Sequence, residues 1–308
     1  MFKSLLKKLP AIDSLIRERD ALIAERDSFK KISGFVPPGH FYSPIISIDE
    51  AKRDENRIFL TNIPRRLPGI DMNEEGQLAN LDKFEEIYPS IDFPTNKENT
   101  HRYYYENPAY SYSDAIMLHC MLRTIQPRRI IEVGSGYSSC MMLDTNEKYL
   151  EKSTEFTFIE PYPELLKSLI RNDDLESINI VETRLQDVPL TAFSKLERDD
   201  VLFIDSTHVS KTGSDVNFLL LEILPSLKSG VYVHLHDIFY PFEYPKEWVF
   251  MGISWNEVYV LRAFLQFNNE FSIEMMNTFL EYFHEQRFAE RMPLCLKNRG
   301  GSIWLRKR

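Results

Sequence analysis

The segment from Arg128 to Ser139 constrains the fold more than any other part of the sequence. It reads Arg-Arg-Ile-Ile-Glu-Val-Gly-Ser-Gly-Tyr-Ser-Ser, a β-branched apolar run followed by two glycines and two serines. Such a run favours a strand buried on both faces, and the glycines allow a tight turn that a ligand can approach closely. The serines favour the start of a helix, whose free N–H groups would face the ligand. The segment therefore predicts a strand, a nucleotide-binding or nucleoside-binding turn and a helix.

Three interpretations of this turn remain open at the level of the segment alone. A dinucleotide-binding turn has glycine at its first, third and sixth positions, whereas the sixth position here is Ser139. The run Glu132-Val-Gly134-Ser-Gly136 is similar to the first motif of class I S-adenosylmethionine-dependent methyltransferases. A short glycine turn can also cap a helix without binding any ligand.

From residue 128 onwards, strand-like runs alternate with helical segments, which predicts an α/β domain. The predicted strands are 129–133, 155–160, 178–182, 200–205, 230–236, 271–275 and 301–306, with helices over 138–150, 163–171, 214–227 and 255–267. Long helical connections favour parallel pairing of the first five strands. We expect a doubly wound, Rossmann-like, mostly parallel seven-stranded sheet whose last strand is antiparallel, as it is in methyltransferases.

The N-terminal region differs from this pattern. Residues 1–32 contain an amphipathic helix in which Leu15, Leu22 and Phe29 recur every seven residues. That spacing predicts a short coiled coil and a homo-oligomer, although Arg19 and Arg26 would occupy the second core position. The alternatives are a helix that packs on its own domain and, through Lys3, Lys7 and Lys8, contact with a membrane surface. Residues 33–98 read as an irregular arm with one short helix over 76–90, because prolines interrupt the pattern.

Composition excludes several classes of partner. The net charge of -9 and the pI near 5.4 argue against nucleic acid, which binds proteins mainly through basic contacts to phosphate. We find no apolar run of about 18 residues and no signal peptide, so we expect no transmembrane segment. Three cysteines without metal or disulfide spacing indicate a reducing compartment. We therefore expect a soluble, cytoplasmic protein.

Acidic residues stand at four predicted strand ends, the edge at which a doubly wound sheet binds its ligand. They are Glu132, Glu160, Asp205 and Asp237. Glu160 follows Gly134 by 26 residues, close to the spacing from which a carboxylate binds ribose hydroxyls. NAD and S-adenosylmethionine both carry that diol, so Glu160 fits either. Asp187, after the third strand, could accept a hydrogen bond from an adenine amine or be a plain loop acid.

Histidines accompany the last two of these acids. Asp205-Ser-Thr-His208 and His236-Asp237 follow strands that we expect to be neighbours, and neighbouring strands lie about 4.8 Å apart. The four side chains should therefore meet. Asp205, His236 and Asp237 could bind a divalent ion, either Mg²⁺ or a transition metal that tolerates histidine. Alternatively, His208 or His236 could be a general base, or the group could be a polar network that supports loops.

From Ser111 to Arg306 the chain resembles class I S-adenosylmethionine-dependent methyltransferases, most closely a bacterial branch. The motifs that carry the likeness are Ser111-Tyr-Ser-Asp114-Ala115, Pro127 to Gly136, Ile204-Asp205-x-x-His208, His236-Asp237, and Trp255-Asn-Glu-Val-Tyr-Val-Leu-Arg262. The resemblance implies a methyltransferase domain over residues 99–308. It implies cofactor contacts from Glu132, Gly134, Ser135, Gly136, Glu160 and Asp114, and a catalytic site of Asp205, His208, His236 and Asp237.

The resemblance also suggests what the enzyme would methylate. Related branches that methylate sugars hold a magnesium ion with acids at the ends of the fourth and fifth strands, where this chain has His236 and Asp237. The resemblance to these branches therefore implies O-methylation of a saccharide or another small hydroxylated acceptor. Trp255, Tyr259 and Arg262, spaced to share a helical face, would form an acceptor pocket or fix the helix to the sheet. The alternative functions are a nicotinamide-dependent oxidoreductase and a non-catalytic scaffold.

Overall fold

The structure, a computed structural model, describes residues 10–32 and 34–308. Its strands are β1 (Arg129–Val133), β2 (Glu155–Ile159), β3 (Ile178–Val181), β4 (Val201–Ile204), β5 (Tyr232–His236), β6 (Phe271–Met276) and β7 (Ser302–Lys307). Its helices are α1 (Pro10–Ile32), α2 (Ile48–Arg53), α3 (Glu55–Ile58), α4 (Glu74–Ile87), α5 (Tyr112–Ile125), α6 (Tyr137–Tyr149), α7 (Glu164–Leu169), α8 (Asp215–Phe218), α9 (Leu224–Ser226), α10 (Lys246–Phe250), α11 (Glu257–Leu265), α12 (Asn277–Phe283) and α13 (Glu285–Arg291). Short 3₁₀ turns cover Tyr88–Ser90, Asn172–Glu176, Leu185–Asp187, Leu190–Lys195 and Pro293–Lys297.

The seven strands form one sheet in the order β3-β2-β1-β4-β5-β7-β6. Strands β1 to β5 pair in parallel, and β7 is antiparallel to both β5 and β6. The predicted fold class is confirmed, with strand ends displaced by no more than two residues. Strand order reverses between β1 and β4, and this reversal opens a crevice at the carboxyl ends of those strands.

Two predicted helices are irregular in the structure. The helix expected over 214–227 is interrupted by a π-helical turn, Leu219–Ile223, between α8 and α9. The helix expected over 255–267 begins only at Glu257, because the N–H groups of Asn256 and Glu257 both donate to the carbonyl oxygen of His208, each at 3.1 Å. Trp255 therefore precedes the helix, and the expectation that it shares a helical face with Tyr259 and Arg262 is wrong.

The chain divides into two compact units, one of Met1–Phe59 with Lys246–Ser254 and the other of Leu60–Pro245 with Trp255–Arg308. The division falls inside the predicted arm. In the first unit, Lys246 forms an ion pair with Glu55, and its ammonium lies 5.5 Å from the centre of the Phe250 ring. The second unit contains the whole sheet.

Helix α1 covers 23 residues of the first unit. Leu15 and Leu22 are 63% and 58% exposed on it, whereas Lys3, Lys7 and Lys8 lie outside the described residues. None of the helices in residues 10–32 and 34–308 has the length and apolar character that crossing a membrane requires.

A buried ion cluster fixes the segment that leads into α5. The Arg102 guanidinium, with 5% of its side chain exposed, pairs with Asp144 at 2.7 Å, with Glu147 at 2.6 Å and with Asp174. Asp144 also accepts hydrogen bonds from the backbone N–H groups of Arg102 and Tyr103. A buried charge needs such partners to offset its lost hydration, and here they also fix the backbone at Arg102 and Tyr103.

Candidate functional site

A cavity of about 380 Å³ lies at the point where strand order reverses, within the second unit. Its walls come from the loops after four parallel strands: Val133 and Gly134 after β1, Ile159 to Tyr162 after β2, Arg184 to Gln186 after β3, and Asp205 to Thr207 after β4, with Asp215 of α8. This is the position at which doubly wound sheets bind nucleotides and nucleosides.

The glycine turn forms one wall and depends on a close backbone approach. Gly134 has a φ of +78°, and its N–H donates to the carbonyl oxygen of Ile159 at 3.1 Å. A Cβ at this position would collide with the backbone of Asp205. Ser139, which stands where a dinucleotide fingerprint has its third glycine, accepts a hydrogen bond from Gly136 N–H at 3.0 Å. The side chain of Ser139 is fully buried here, and its hydroxyl ties the start of the helix to the turn.

Glu132 supports the turn from beneath. Its side chain is fully buried and accepts hydrogen bonds from the hydroxyls of Ser138 and Ser139. Burial raises the pKa of the Glu132 carboxyl to about 8, although the two serine hydrogen bonds oppose that rise. Within the described residues Glu132 is not part of the cavity wall. The cofactor contact predicted for it would therefore be indirect, through the serines.

Glu160 and Asp187 occupy different environments. Glu160 lines the cavity, and its carboxylate accepts hydrogen bonds from the N–H of Ser135 at 3.3 Å and of Tyr162 at 2.8 Å. Asp187 is turned to solvent and pairs with Arg184 at 2.8 Å. From the turn after β3, Leu185 and Gln186 line the cavity instead. Among the described residues, Gln186 therefore lies at the cavity wall and Asp187 does not.

Asp205, His208, His236 and Asp237 lie together, as expected from neighbouring strand ends. The Nε2 atom of His208 is 3.4 Å from Asp205 and 3.5 Å from Asp237, and the Nδ1 atom of His236 is 3.3 Å and 3.8 Å from the same acids. We call these four residues the acid–histidine cluster. Since Asp205 also lines the cavity, the acid–histidine cluster adjoins the cofactor crevice.

Backbone strain marks two members of the acid–histidine cluster. His208 and Asp237 have φ values of +57° and +56°, in the left-handed region that costs a non-glycine residue about 1 kcal/mol. Strained backbone persists where the surrounding structure over-determines it, and it concentrates at functional sites. For His208 the restraint is visible, because its carbonyl oxygen accepts two hydrogen bonds from the start of α11.

The acids and the imidazoles shift one another's pKa. Partial burial opposes ionisation of Asp205, but His236 and His208 hold the pKa of its carboxyl well below the ordinary value. Burial raises the pKa of Asp237 to about 6 against the opposing effect of the same two rings. Burial would lower the pKa of His208, yet Asp205 and Glu257 raise it to about 10. The site thus concentrates both signs of charge in one small volume.

A second carboxylate stands behind each histidine. Glu257, 1% exposed, lies 2.8 Å from Nδ1 of His208. Asp114, 4% exposed, lies 3.4 Å from Nε2 of His236 and accepts hydrogen bonds from the N–H of Gly301 and the hydroxyl of Ser302. The resemblance placed Asp114 among the cofactor contacts. The structure places it behind His236, bonded to the start of β7, and reveals Glu257 as a site residue that we had not assigned to this role.

An aromatic wall borders the acid–histidine cluster. The half-buried ring of Trp255 lies 4.4 Å from the His208 ring, centre to centre, and 6.1 Å from that of Tyr244. The Tyr259 hydroxyl donates to Glu243. A flat aromatic face beside polar groups is suited to a ring-shaped ligand with hydroxyls.

Three of the clustered residues also offer ligand atoms for a metal. Within the described part of the chain, Asp205, His208 and Asp237 can place one such atom each within 4.8 Å of the others. The set predicted from the sequence was Asp205, His236 and Asp237. His208 therefore joins the candidate ligands, while His236 stays close to both acids.

Comparison with known proteins identifies the family. The family model described as a methyltransferase domain matches residues 131–238, a span that contains the end of β1, all of β2 to β5 and the whole acid–histidine cluster. An uncharacterized protein of Archaeoglobus fulgidus is 33% identical over 187 residues, which make up 59% of this chain and 83% of that protein. Residues 131–238 of the chain belong to the methyltransferase domain family.

The methyltransferase also has likenesses among solved structures. The methyltransferase PaMTH1 of Podospora anserina, bound to SAH, is 12% identical with a TM-score of 0.41, over 84% of this chain and 96% of that chain. The O-methyltransferase TomG of Streptomyces achromogenes, in complex with SAM, is 15% identical with a TM-score of 0.40, over 83% and 96%.

Family membership confirms the reaction class implied by the sequence motifs. The protein is an S-adenosylmethionine-dependent methyltransferase. The match favours this class over the nicotinamide-dependent oxidoreductase that the glycine turn left open.

Proposed function

We propose that this methyltransferase transfers the methyl group of S-adenosylmethionine to a hydroxyl oxygen of a small acceptor, with a saccharide as the preferred acceptor class. The observation that carries the proposal is the position of the acid–histidine cluster, between the cofactor crevice and the Trp255 wall. Asp205 lines the crevice, and His208 contacts both Asp205 and Trp255.

The cofactor would bind along the crevice. The carboxylate of Glu160 is the acceptor for the two ribose hydroxyls, since it lines the cavity at the end of β2. Gly134, Ser135 and Gly136 bring the backbone close to the amino acid part of the cofactor, and Glu132 keeps their turn in shape through its serines. The adenine would lie near Leu185 and Gln186 rather than against Asp187, which points to solvent.

Transfer requires an aligned acceptor oxygen and a place for its proton. The oxygen attacks the methyl carbon, the carbon–sulfur bond breaks, and the sulfonium sulfur keeps the electron pair as a neutral thioether. Asp205, His208, His236 and Asp237 orient the hydroxyl, and one of the two carboxylates receives its proton. A divalent ion held by Asp205 and Asp237 would lower the pKa of that hydroxyl. Trp255 would stack on a sugar ring and exclude water from its other side.

The test is transfer of a deuterium-labelled methyl group to a panel of saccharides, read by mass spectrometry. We expect label on oxygen for the wild type and none for Asp237→Asn. We expect this variant to bind S-adenosylmethionine normally in calorimetry, because Asp237 is not one of the described residues that line the crevice. Trp255→Leu should raise the acceptor KM with little change in cofactor affinity. Label on nitrogen or carbon, or full turnover by Asp237→Asn, would contradict the proposal.

A further inference from the structure

We infer that the acid–histidine cluster binds a first-row transition-metal dication in preference to Mg²⁺, with His208 and His236 as nitrogen ligands beside Asp205 and Asp237. Glu257 and Asp114 act as positioning residues that fix which nitrogen of each ring faces the ion. The inference concerns the site of the proposed function, but it is tested by metal binding, which can succeed or fail independently of methyl transfer.

The first observation is an unpartnered nitrogen. His236 is 5% exposed, and its Nδ1 atom has no hydrogen-bond partner among the described residues. The Asp205 oxygen lies 3.3 Å from Nδ1 but outside hydrogen-bonding geometry. Burial of a polar atom without a hydrogen-bond partner costs free energy, because its hydration is lost and not replaced. Here Nδ1 of His236 faces Asp205 and Asp237, so a cation bound between these groups would give Nδ1 the partner that it lacks.

The second observation is the pair of carboxylates behind the rings. A histidine that ligates a metal usually donates its other ring N–H to a carboxylate or carbonyl, which sets the tautomer. Glu257 is placed to accept from Nδ1 of His208, which directs Nε2 toward Asp205 and Asp237. Asp114 faces Nε2 of His236, which directs Nδ1 toward the same acids. The two rings use opposite nitrogens, and both of these nitrogens lie within 3.8 Å of the two acids, where a bound cation would replace their protons.

The spacing of the donor atoms suits an ion of this kind. The four nitrogen–oxygen separations are 3.4, 3.5, 3.3 and 3.8 Å. Ligands at about 2.1 Å from a tetrahedral ion lie about 3.4 Å from each other. Asp205, His208 and Asp237 bring their ligand atoms within 4.8 Å of one another, and Nδ1 of His236 lies near both acids but outside that group, so the His236 ring would move toward the ion on binding.

The type of donor decides between metals. Mg²⁺ prefers oxygen ligands in octahedral geometry and keeps several waters. Imidazole nitrogen suits iron, nickel, copper and zinc, and the affinity of a mixed site rises from manganese through iron, cobalt and nickel to copper, with zinc below copper. Two imidazoles among four donors, each held by a buried carboxylate, fit magnesium poorly. We therefore do not assign to this chain the magnesium ion that the sequence resemblance implied.

Helix α11 builds one half of this arrangement. Glu257 is its first residue, and the N–H groups of Asn256 and Glu257 donate to the carbonyl oxygen of His208. The start of α11 thus fixes both the backbone and the ring of His208, whose φ of +57° lies in the left-handed region. Glu257 is consequently placed to act on the metal through His208, without touching the ion.

The experiment uses the full chain, stripped with a chelator and titrated with Mn²⁺, Co²⁺, Zn²⁺ or Mg²⁺ in a calorimeter. We expect one equivalent of each transition ion to bind, and Mg²⁺ to bind at least about tenfold more weakly. Co²⁺ should give visible absorption bands that move in His208→Asn and in His236→Asn. Glu257→Gln should weaken Co²⁺ binding by about 10- to 100-fold, while S-adenosylmethionine binding is retained.

The matched control is Glu243→Gln, a half-buried carboxylate in the same unit that pairs with the Tyr259 hydroxyl. It should leave the Co²⁺ affinity and spectrum unchanged. Thermal unfolding of each variant separates the loss of a metal ligand from the loss of the fold. Equal affinity for Mg²⁺ and Co²⁺, unchanged Co²⁺ bands in both histidine variants, or no binding by the wild type would overturn the inference. None of these results would contradict the proposed function, because the enzyme stripped of metal could still transfer the methyl group.

Discussion

A Cβ atom added to Gly134 would lie 1.8 Å from the carbonyl oxygen of Asp205. Gly134 opens the glycine turn, and Asp205 joins the cofactor crevice to the acid–histidine cluster. These two residues are thus in direct backbone contact across neighbouring strands. Gly134 also has a φ of +78°, so both its conformation and its surroundings require glycine.

Gly134→Ala should therefore lower stability and weaken cofactor binding together. The left-handed conformation alone costs alanine about 1 kcal/mol, and displacement of the Asp205 backbone adds to that. The matched control is Gly213→Ala, at a φ of +71° with no atom of the described chain within 4 Å of the added Cβ. Urea denaturation should show a clearly larger loss for Gly134→Ala. Equal losses would mean that the close contact with Asp205 has no energetic weight.

Glu160 and Asp187 offer a direct comparison of two acids that the sequence assigns to the cofactor. Glu160→Gln should weaken S-adenosylmethionine binding about 10- to 100-fold, because hydrogen bonds to a charged group contribute about 1.5–3 kcal/mol. Asp187→Asn should change the affinity little, since that carboxylate is exposed and paired with Arg184. Calorimetry with S-adenosylmethionine measures both. A stronger effect at Asp187 than at Glu160 would place the adenine differently from our proposal.

The contrast between these two acids shows what local sequence can reveal. The β-branched runs predict the strands of the sheet, and short, right-handed connections limit the order of those strands. The residues that follow the strands can therefore be predicted to lie together, as Asp205, His208, His236 and Asp237 do. The supporting carboxylates could not be found this way. Glu257 meets His208 only because a loop returns to its carbonyl oxygen, and Asp114 is held by Gly301 and Ser302, which are distant in sequence. Such contacts depend on tertiary packing and not on periodicity.

A buried histidine outside the site gives a pH-dependent prediction. His119 of α5 packs against the rings of Phe93 and Tyr149 and shares a hydrogen bond of 2.9 Å with the Thr145 hydroxyl. Burial lowers the pKa of His119 to about 3; nearby Arg123 and Lys148 lower it further, and Asp92 opposes them. Between pH 6.5 and about 3 the unfolded chain therefore binds a proton that the folded chain does not.

His119 should thus make its full contribution to stability above pH 6.5 and lose it as the pH falls. The loss is about 1.4 kcal/mol for each pH unit below 6.5. His119→Gln keeps a partner for Thr145 but cannot be protonated, so the difference in unfolding free energy between variant and wild type should change with that slope. Urea denaturation at pH 7.5, 6.0 and 5.0 measures it. A difference that stays constant over this range would show that His119 is already protonated in the folded protein or remains accessible to water.

The last prediction concerns helix α1. Leu15 and Leu22 are exposed on it, one heptad apart, and burial of a leucine side chain stabilises an interface by about 1.5–3 kcal/mol. We expect concentration-dependent self-association through this stripe, with a modest affinity because Arg19 and Arg26 stand at the other core position. Sedimentation velocity should show the double variant Leu15→Asn, Leu22→Asn to be monomeric at concentrations where the wild type associates. Leu221→Asn, which alters a leucine that is 61% exposed in the other unit, should behave as the wild type. A wild type that is monomeric throughout, or a double variant that associates equally well, would assign the stripe to some other role.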